Sequence, residues 1–369
     1  MNVLQVLPEL NAGGVERTTI EMVEALCAAG HAAHVISAGG RMVADMEALG
    51  GVHHTAHIGS KNILSVPWRI AGLRRLIFEH KIDIVHARSR APAWPAMLAA
   101  RAEKVPFVTT YHGIYKAKGP LKRFYNSVMA RGDHIIANSS FTCDYLIGQH
   151  GAAGRKITVI PRGVDMDQFD PNAIDETKVS KLRDSWGVKA GETALVLPAR
   201  LTRWKGQLVA IEALAHLPKQ YRLVLVGDAQ GRMEYLAELA ALGKALGVAD
   251  RVHLAGHSTD MPTVLAAADI VLTPSIEPEA FGRTAAEAQA MNRPVITTDH
   301  GGAKEVVVEG VTAWRVPPRD EKALADAILR VEALSGVKSA RQRISKQFSK
   351  ASLQQATLNV YSRLLSSPK

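Results

Sequence analysis

The chain has 369 residues, of which 47% are hydrophobic and 22% are charged, a composition that is typical of globular proteins and excludes an intrinsically disordered one. No apolar stretch reaches the length of a membrane-spanning helix, and the start MNVLQVLPEL lacks the basic residues and cleavage site of a secretory signal, so we expect a cytoplasmic protein. The net charge is +10, and up to residue 165 there are 19 Lys and Arg against 12 Asp and Glu, which favours an anionic partner for the first half.

The first half of the chain alternates short apolar strands with amphipathic helices. The strand NVLQVLP leads into a glycine turn at Gly13-Gly14 and a helix over about residues 16–29, which ends at Gly30 as helices commonly do. The elements predicted next are a strand HAAHVISA, a helix over 68–79, a strand IDIVHA, a helix over 95–101, and the strands PFVTTYH and DHIIANS. Strands that are apolar throughout and separated by helices indicate a parallel sheet covered on both faces.

This pattern stops after residue 165 and restarts near residue 191. The segment 166–190 is polar and contains Asp170-Pro171, which is typical of a linker. The elements predicted beyond it are strands ALVLPAR, YRLVLVGD, RVHLAG, DIVLTPS and PVITTD, with helices over 206–215, 232–246, 282–291 and 353–365. We therefore predict an α/β protein with two Rossmann-like βαβ domains, 1–165 and 191–345, facing each other across a deep cleft, and a C-terminal helical segment 346–369 that could pack back on the first domain.

Ligands of open α/β sheets bind at the carboxyl ends of the strands, so the residues just past each strand are candidates. The backbone of Gly13-Gly14 could approach a phosphate at the start of a helix, or form a tight turn without a ligand. Arg200 and Lys205 flank a helix start, where cations are otherwise disfavoured, and this favours a diphosphate site over a solvated face. His112 ends a strand and is either a structural residue or a functional one.

The stretch EAFGRTAAE, residues 279–287, places two carboxylates eight residues apart around a predicted helix start. The amides of Phe281 and Gly282 would lie at the helix N-terminus near a phosphate. Two carboxylates would repel a phosphate, so Glu279 and Glu287 are predicted to hold hydroxyl groups. Glu277, close to Glu279, stays open as the alternative.

Basic residues concentrate around the predicted strand ends of the first domain. The segment from 115 to 131 interleaves them with Tyr, Leu, Phe and Met, which suits the edge of a bilayer or an anionic headgroup, although a solvated helix face remains the alternative. The acceptor or membrane candidates are Arg88, Arg90, Lys116, Lys118, Lys122 and Arg123.

Taken together, these motifs resemble family 4 of the retaining glycosyltransferases, which have the GT-B fold. The residues that carry the resemblance are Gly13-Gly14, His112-Gly113, Arg200 with Lys205-Gly206, PSIEPEAFG with the E-x7-E pair, and RPVITTDHGGAKEVV. The resemblance covers nearly the whole chain. Arg283 stands where the family commonly has an apolar residue.

The resemblance implies a UDP- or GDP-linked sugar as donor in the second domain and a lipid-linked or oligosaccharide acceptor in the first. It implies that the backbone of Gly14 stabilises the departing diphosphate together with Arg200 and Lys205, which suits a site that needs no metal ion. No cofactor and no nucleic-acid partner are expected. Glu279 would hold the sugar, Glu287 the ribose, and Gly256-His257 would pass near the base. His112 would contact the sugar and stabilise positive character at the anomeric carbon.

The basic first domain and its stretch RSRAPAW resemble bacterial members that build cell-envelope glycans, lipopolysaccharide or exopolysaccharide. This likeness further implies a peripheral enzyme at the inner face of the cell membrane. Two other functions stay open. A nucleotide-sugar epimerase of GT-B fold would share the donor site, and a non-catalytic nucleotide or nucleic-acid binding module would use the basic face. The second is disfavoured because no recognition motif or aromatic stacking platform accompanies the charge.

Overall fold

The computed structural model describes residues 1–11, 13–115 and 119–366, and the chain divides into two compact units. Unit 1 comprises Met1–Arg162 together with Lys350–Lys369, and unit 2 comprises Gly163–Ser349. Each unit is built on its own parallel sheet.

Unit 1 contains a seven-stranded sheet in the order β3-β2-β1-β4-β5-β6-β7. The strands are β1 (Asn2–Val6), β2 (Ala32–Ser37), β3 (Val52–Thr55), β4 (Ile84–Ala87), β5 (Phe107–Tyr111), β6 (His134–Ala137) and β7 (Ile157–Val159). All neighbours pair in parallel, and the central strands β1, β4 and β5 are almost completely buried, as apolar runs in a doubly covered sheet should be.

The helices of unit 1 connect these strands and cover the sheet. They are α1 (Gly14–Ala28), α2 (Val43–Ala48), α3 (Val66–Glu79), α4 (Arg90–Ala102), α5 (Pro120–Asn126) and α6 (Ser140–His150), joined by the C-terminal helix α15 (Lys350–Ser366). No helix in the described parts of the chain has both the length and the apolar character needed to cross a bilayer.

Helix α15 completes the core of unit 1, although nearly 190 residues separate it from the rest of that unit. Its Leu353, Val360 and Tyr361 are buried in the same cluster as residues of β1 and α1. The hydroxyl of Tyr361 lies 2.6 Å from Nδ1 of His86, at the centre of the sheet. Burial, followed by the charge of Arg88, holds the pKa of His86 well below its ordinary value, so this ring is a neutral structural group.

Unit 2 contains a six-stranded parallel sheet in the order β10-β9-β8-β11-β12-β13. The strands are β8 (Thr193–Pro198), β9 (Tyr221–Val226), β10 (Val252–Gly256), β11 (Ile270–Thr273), β12 (Val295–Thr298) and β13 (Ala313–Val316). The helices are α7 (Glu176–Ser185), α8 (Gln207–Ala215), α9 (Met233–Ala245), α10 (Met261–Ala266), α11 (Arg283–Ala290), α12 (Ala303–Val306), α13 (Glu321–Leu329) and α14 (Val337–Gln347).

The segment 166–190, which we expected to be a linker, is part of unit 2. It contains α7, and its Phe169 and Trp186 are at most 5% exposed in the core of that unit. Arg341 of α14 holds the segment in place by donating hydrogen bonds to the carbonyl oxygens of Met166 and Ala290, both at 2.9 Å. A polar composition concealed the few large apolar residues that fix this segment to the core.

Among the elements that differ from the sequence-based expectation, β3 and α4 do so for local reasons. Strand β3 was not predicted because it is an edge strand, VHHT, with only partly buried side chains and therefore no apolar run. Helix α4 begins at Arg90 rather than near residue 95, because Pro95 is accommodated inside the helix. A proline in an apparent helix usually marks a boundary, and here it does not.

Candidate functional site

The carboxyl edge of the unit 2 sheet brings together a lysine and a glutamate from two separate loops. Lys205 ends a single helical turn, Arg203–Lys205, that follows β8, and Glu279 lies in the loop between β11 and α11. Nζ of Lys205 lies 2.8 Å from Oε1 of Glu279, and each side chain is 16% exposed. The hydroxyl of Ser275 donates to the same carboxylate oxygen.

These partners keep Glu279 ionised. Burial raises the pKa of Glu279, but the charge of Lys205 and the hydrogen bonds from Lys205 and Ser275 outweigh it and hold this pKa below its ordinary value. At neutral pH the site therefore presents a carboxylate that only accepts hydrogen bonds, next to an ammonium group that only donates them.

Glycines allow the loops around this ion pair to approach each other closely. Gly206 has a φ of 79°, and a Cβ at this position would lie 2.0 Å from the carbonyl oxygen of Pro274. The amide of Gly302 donates to the carbonyl oxygen of Glu279 at 2.7 Å. Nε2 of His300 lies 2.8 Å from the carbonyl oxygen of Ser275, so a proton on Nε2 completes this bracing.

The next residues of the same loop position helix α11. Phe281 is 3% exposed and packs in the core of unit 2 with its ring centroid 5.8 Å from that of Phe348. Only its backbone is therefore available to a ligand. Gly282 has a φ of 94° and precedes the first residue of α11, and a Cβ here would lie 2.7 Å from Cα of Ala303. These two residues set the position of the helix N-terminus.

Glu287 lies one turn inside α11 and is already held by a cation. Its Oε1 accepts a hydrogen bond of 2.7 Å from Nε of Arg283, and the two side chains are 10% and 21% exposed, respectively. Arg283 thus neutralises and orients the carboxylate that we predicted to hold the ribose. The sequence showed Arg283 only as a departure from the resembled family.

The other predicted donor residues lie at the same edge of the sheet. Arg200 follows β8 with an exposed side chain, and its carbonyl oxygen accepts from the buried Gln207 at 3.0 Å. Gly256 ends β10, and its carbonyl oxygen accepts from the amide of Gly227 at 2.7 Å. His257 beside it is exposed. The edge therefore offers a cation, a backbone turn and an ion pair in neighbouring positions.

Unit 1 has its own cluster at the carboxyl edge of its sheet. Gly13, with a φ of 136°, and Gly14 begin α1, and a Cβ at Gly14 would lie 1.9 Å from Nη1 of Arg162. Nη2 of Arg162 lies 3.2 Å from Nδ1 of His112. Burial, followed by the charge of Arg162, holds the pKa of His112 well below its ordinary value. Nε2 of His112 is buried and has no hydrogen-bond partner among the described residues.

Arg162 is a site residue that sequence reasoning missed. The signal was present, because the segment IPRGVD directly follows β7 and so reaches the carboxyl edge of the sheet. We interpreted that segment only as the end of a domain.

The placement of Arg88 corrects our expectation of an acceptor or membrane contact. Arg88 is 2% exposed, and its guanidinium donates to the side chain of Gln5 and to the carbonyl oxygen of Thr18, both at 2.9 Å. It is a buried structural cation, because these hydrogen bonds hold its guanidinium between strand β1 and helix α1.

The remaining basic candidates of unit 1 differ in their surroundings. Arg90 is tied down by a hydrogen bond of 2.6 Å to Asn126 and by the ring of Tyr115, whose centroid is 3.9 Å from its guanidinium. Lys122 and Arg123 lie on the exposed helix α5. Lys116 and Lys118 lie outside the described residues.

Comparisons with known proteins identify the family. Residues 12–168 match Glycosyltransferase Family 4, and residues 178–350 match Glycosyl transferases group 1. A D-inositol 3-phosphate glycosyltransferase of Xylanimonas cellulosilytica is 32% identical over 300 residues, which cover 76% of this chain and 72% of that protein. The chain is a family 4 glycosyltransferase.

Solved structures that superpose on this chain confirm the predicted fold. A glycosyltransferase from Rickettsia africae superposes with a TM-score of 0.92 at 34% identity, covering all of this chain and 99% of that one. HepE of Anabaena, in complex with UDP and glucose, superposes with a TM-score of 0.85 at 26% identity, covering 98% of this chain and 99% of that one. The two Rossmann-like units of this glycosyltransferase are those of the GT-B fold.

Proposed function

We propose that this glycosyltransferase takes its sugar from a nucleotide-diphosphate sugar, with UDP as the carrier, and transfers it with retention of the anomeric configuration. The observation that carries the proposal is the ion pair of Lys205 and Glu279 at the carboxyl edge of unit 2. Lys205 supplies a cation for the diphosphate, and the ionised Glu279 accepts hydrogen bonds from sugar hydroxyls. HepE, which is solved with UDP-glucose, supports UDP ahead of GDP.

The proposed reaction breaks the bond between the anomeric carbon and the diphosphate oxygen. The acceptor oxygen bonds to the same carbon from the same face, and its proton passes to the departing phosphate oxygen. Lys205 and Arg200 neutralise the charge that develops on the diphosphate, so the proposal needs no metal ion. The engagement of Glu279 by Lys205 and Ser275 favours a binding role for this carboxylate over a nucleophilic one.

For the acceptor we propose a molecule that carries a phosphate close to the hydroxyl that is glycosylated. Two sources share this chemistry. One is a free phosphorylated polyol, as the names of the inositol 3-phosphate relatives suggest. The other is a phosphorylated or lipid-linked glycan of the bacterial envelope, as in lipopolysaccharide or exopolysaccharide synthesis. The basic first half of the chain suits both, because both are anionic.

A lipid-linked acceptor would require the enzyme to reach the membrane surface, and helix α5 supports this. Its Leu121 and Phe124 are 85% and 58% exposed, respectively, and lie three residues apart on one face. Lys122 and Arg123 stand beside them. Exposed apolar residues next to cations favour an anionic bilayer, and we propose peripheral association at the inner face of the membrane through this helix.

A thermal-shift panel of UDP-, GDP- and ADP-sugars tests the donor, since a ligand that binds only the folded state raises its apparent stability. We expect UDP-sugars to raise the unfolding temperature of the wild type and to have little effect on Lys205→Ala. Stabilisation by none of the nucleotide-sugars would contradict the proposal. Incubation with the donor alone serves as a second test, because formation of an epimer without acceptor would indicate an epimerase.

Transfer assays with inositol phosphate and with a phosphorylated glycolipid in anionic vesicles then separate the two acceptor sources. For membrane association, the double variant Leu121→Ser with Phe124→Ser is compared with Phe78→Ser, which changes an apolar residue of α3 that is 78% exposed. We expect the α5 variant to lose vesicle binding at low salt and the α3 variant to keep it. Equal binding by all three proteins would refute the role of α5.

A further inference from the structure

The contact between Arg162 and His112 determines which nitrogen of the imidazole carries the proton. A guanidinium can only donate hydrogen bonds, and Nη2 of Arg162 lies 3.2 Å from Nδ1 of His112. Nδ1 must therefore accept with its lone pair. In a neutral imidazole the proton then resides on Nε2, which becomes a donor.

The position of Arg162 is itself fixed by the start of α1. Its Nη1 lies in the space that a Cβ of Gly14 would occupy, at 1.9 Å from the ideal position of that atom. Gly14 thus admits the guanidinium beside the helix, and the guanidinium reaches His112 from there. The glycine pair of the sequence motif and the histidine 98 residues later are linked through one arginine.

Nε2 of His112 is a hydrogen-bond donor that a ligand could supply with an acceptor. It is buried, and the described residues provide no hydrogen-bond acceptor for it. A buried donor without an acceptor is costly, so an oxygen that reaches this nitrogen is bound favourably. Hydroxyl and phosphate oxygens of a nucleotide-sugar are acceptors of this kind.

We propose that Arg162 is a positioning residue that holds His112 in the tautomer with the proton on Nε2, so that His112 donates a hydrogen bond to an oxygen of the bound donor. The identity of that ligand rests on the proposed function. This assignment changes the role that the family resemblance implied for His112. A nitrogen that presents a proton does not stabilise positive character at an anomeric carbon, but it does orient a hydroxyl or stabilise a phosphate oxygen.

The surroundings of His112 all favour its neutral form. Burial contributes most, and the neighbouring ionisable groups Arg162, Arg88 and His86 each lower the pKa of His112 further. The ring is therefore neutral at physiological pH, and the choice between its two tautomers is left to the contact with Arg162.

The tautomer is measured directly by long-range ¹H–¹⁵N NMR of the full-length protein without substrate, with the His112 signals assigned from His112→Gln. We expect the proton on Nε2 between about pH 6 and pH 8. In Arg162→Gln we expect a mixture of tautomers and a raised pKa, while Arg155→Gln, which changes an exposed arginine of the same unit, keeps the wild-type signals. A proton on Nδ1 in the wild type would overturn the proposal, whatever the enzymatic activity.

Activity provides the second readout. We expect Arg162→Gln to lower kcat/KM about 10- to 100-fold and to give the pH profile a new acidic limb near pH 6, with partial recovery in Arg162→Lys. Gly14→Ala should act like Arg162→Gln, because the new methyl group displaces the guanidinium. When His112→Gln is already present, adding Arg162→Gln should lower kcat/KM little further. If Arg162→Gln lowered kcat/KM equally in the wild type and in His112→Gln, Arg162 would act independently of His112.

These two readouts also separate the inference from the proposed function. If neither the wild type nor any variant turns over a nucleotide-sugar, the proposed function fails, while the measurement of the His112 tautomer remains valid. If transfer is observed but the NMR signals of His112 do not respond to Arg162→Gln, the inference fails alone.

Discussion

Arg283 and Glu287 are one turn apart on α11, and their side chains form an ion pair of 2.7 Å in which Glu287 is only 10% exposed. The same spacing and distance occur between Arg75 and Glu79 on α3, where the side chains are 78% and 49% exposed. The two pairs have the same geometry and differ in burial, so they form a natural comparison.

We expect Arg283→Leu to raise the KM for the donor about tenfold and to lower the unfolding temperature, because a nearly buried carboxylate loses its partner and its orientation. Arg75→Leu should leave both values unchanged, since exposed pairs contribute about 0–1 kcal/mol. Donor titrations and thermal melts of both variants check this. A lower kcat at unchanged KM in Arg283→Leu would argue that Glu287 acts on the reaction and not on nucleotide binding.

Glu279 and its neighbour Glu277 can be distinguished by substitution. Glu279 is the carboxylate that contacts Lys205 and Ser275, so Glu279→Gln should lower kcat/KM about 10- to 100-fold through weaker binding of the sugar hydroxyls. Glu277→Gln should retain near wild-type activity. Steady-state kinetics with the preferred nucleotide-sugar decide between the two, and the reverse order of effects would assign the sugar to Glu277.

Lys205→Ala should remove both the cation that we propose for binding the diphosphate and the ion-pair partner of Glu279. We expect kcat/KM to fall about 100- to 1000-fold and the stability of the protein to fall by about 1–3 kcal/mol. Adding Glu279→Gln to Lys205→Ala should restore most of the stability, because it removes the unpaired carboxylate. It should restore none of the transfer activity. Chemical denaturation and transfer assays of the single and double variants test this, and recovery of activity in the double variant would contradict the proposed role of Lys205.

Three histidines pack together in unit 1 and should make its stability depend on pH. The ring centroids of His34, His54 and His80 are 4.8–5.3 Å apart. Burial, followed by the neighbouring histidines, lowers the pKa of His54 to about 4, and burial lowers that of His34. Below about pH 6.5 these histidines bind more protons in the unfolded chain than in the folded protein. The free energy of unfolding therefore decreases as the pH falls from about 6.5 to about 4.

Melting temperatures of the wild type and of His54→Gln between pH 7.5 and pH 4.5 check this dependence. The loss of stability should be smaller in His54→Gln, and His257→Gln, at an exposed position of unit 2, should behave as the wild type. Parallel curves for wild type and His54→Gln would show that the cluster does not govern the acid sensitivity.

The sequence was sufficient to predict the central strands and to locate the residues that directly follow them. Runs such as ALVLP predict β8 because a strand buried on both faces carries apolar residues at every position. Their positions after strands likewise placed Lys205 and Glu279 at the carboxyl edge of unit 2, where their side chains form an ion pair. Their roles towards a ligand stay predictions. The edge strand β3 has no such run, and its histidines form contacts with one another that its composition does not reveal.

Contacts that join distant parts of the chain could not be predicted. Arg162 follows β7, so its place at the carboxyl edge of the sheet could be predicted, but the residues around position 162 do not show that it contacts Gly14 and His112. Arg88 shows the converse error. An arginine after a strand suggested an exposed site, but its hydrogen bonds to Gln5 and Thr18 place it in the interior.

Because α15 belongs to unit 1, the core of unit 1 cannot be completed until all of unit 2 has been synthesised. All residues of unit 2 are synthesised before residues 350–366, so the core of unit 2 does not depend on the C-terminal helix. Until then, the surface that Leu353, Val360 and Tyr361 later cover stays uncovered on the nascent first unit, and His86 lacks its tyrosine partner. During synthesis, it is the first-made part of this enzyme that waits longest and is most open to aggregation and chaperone binding.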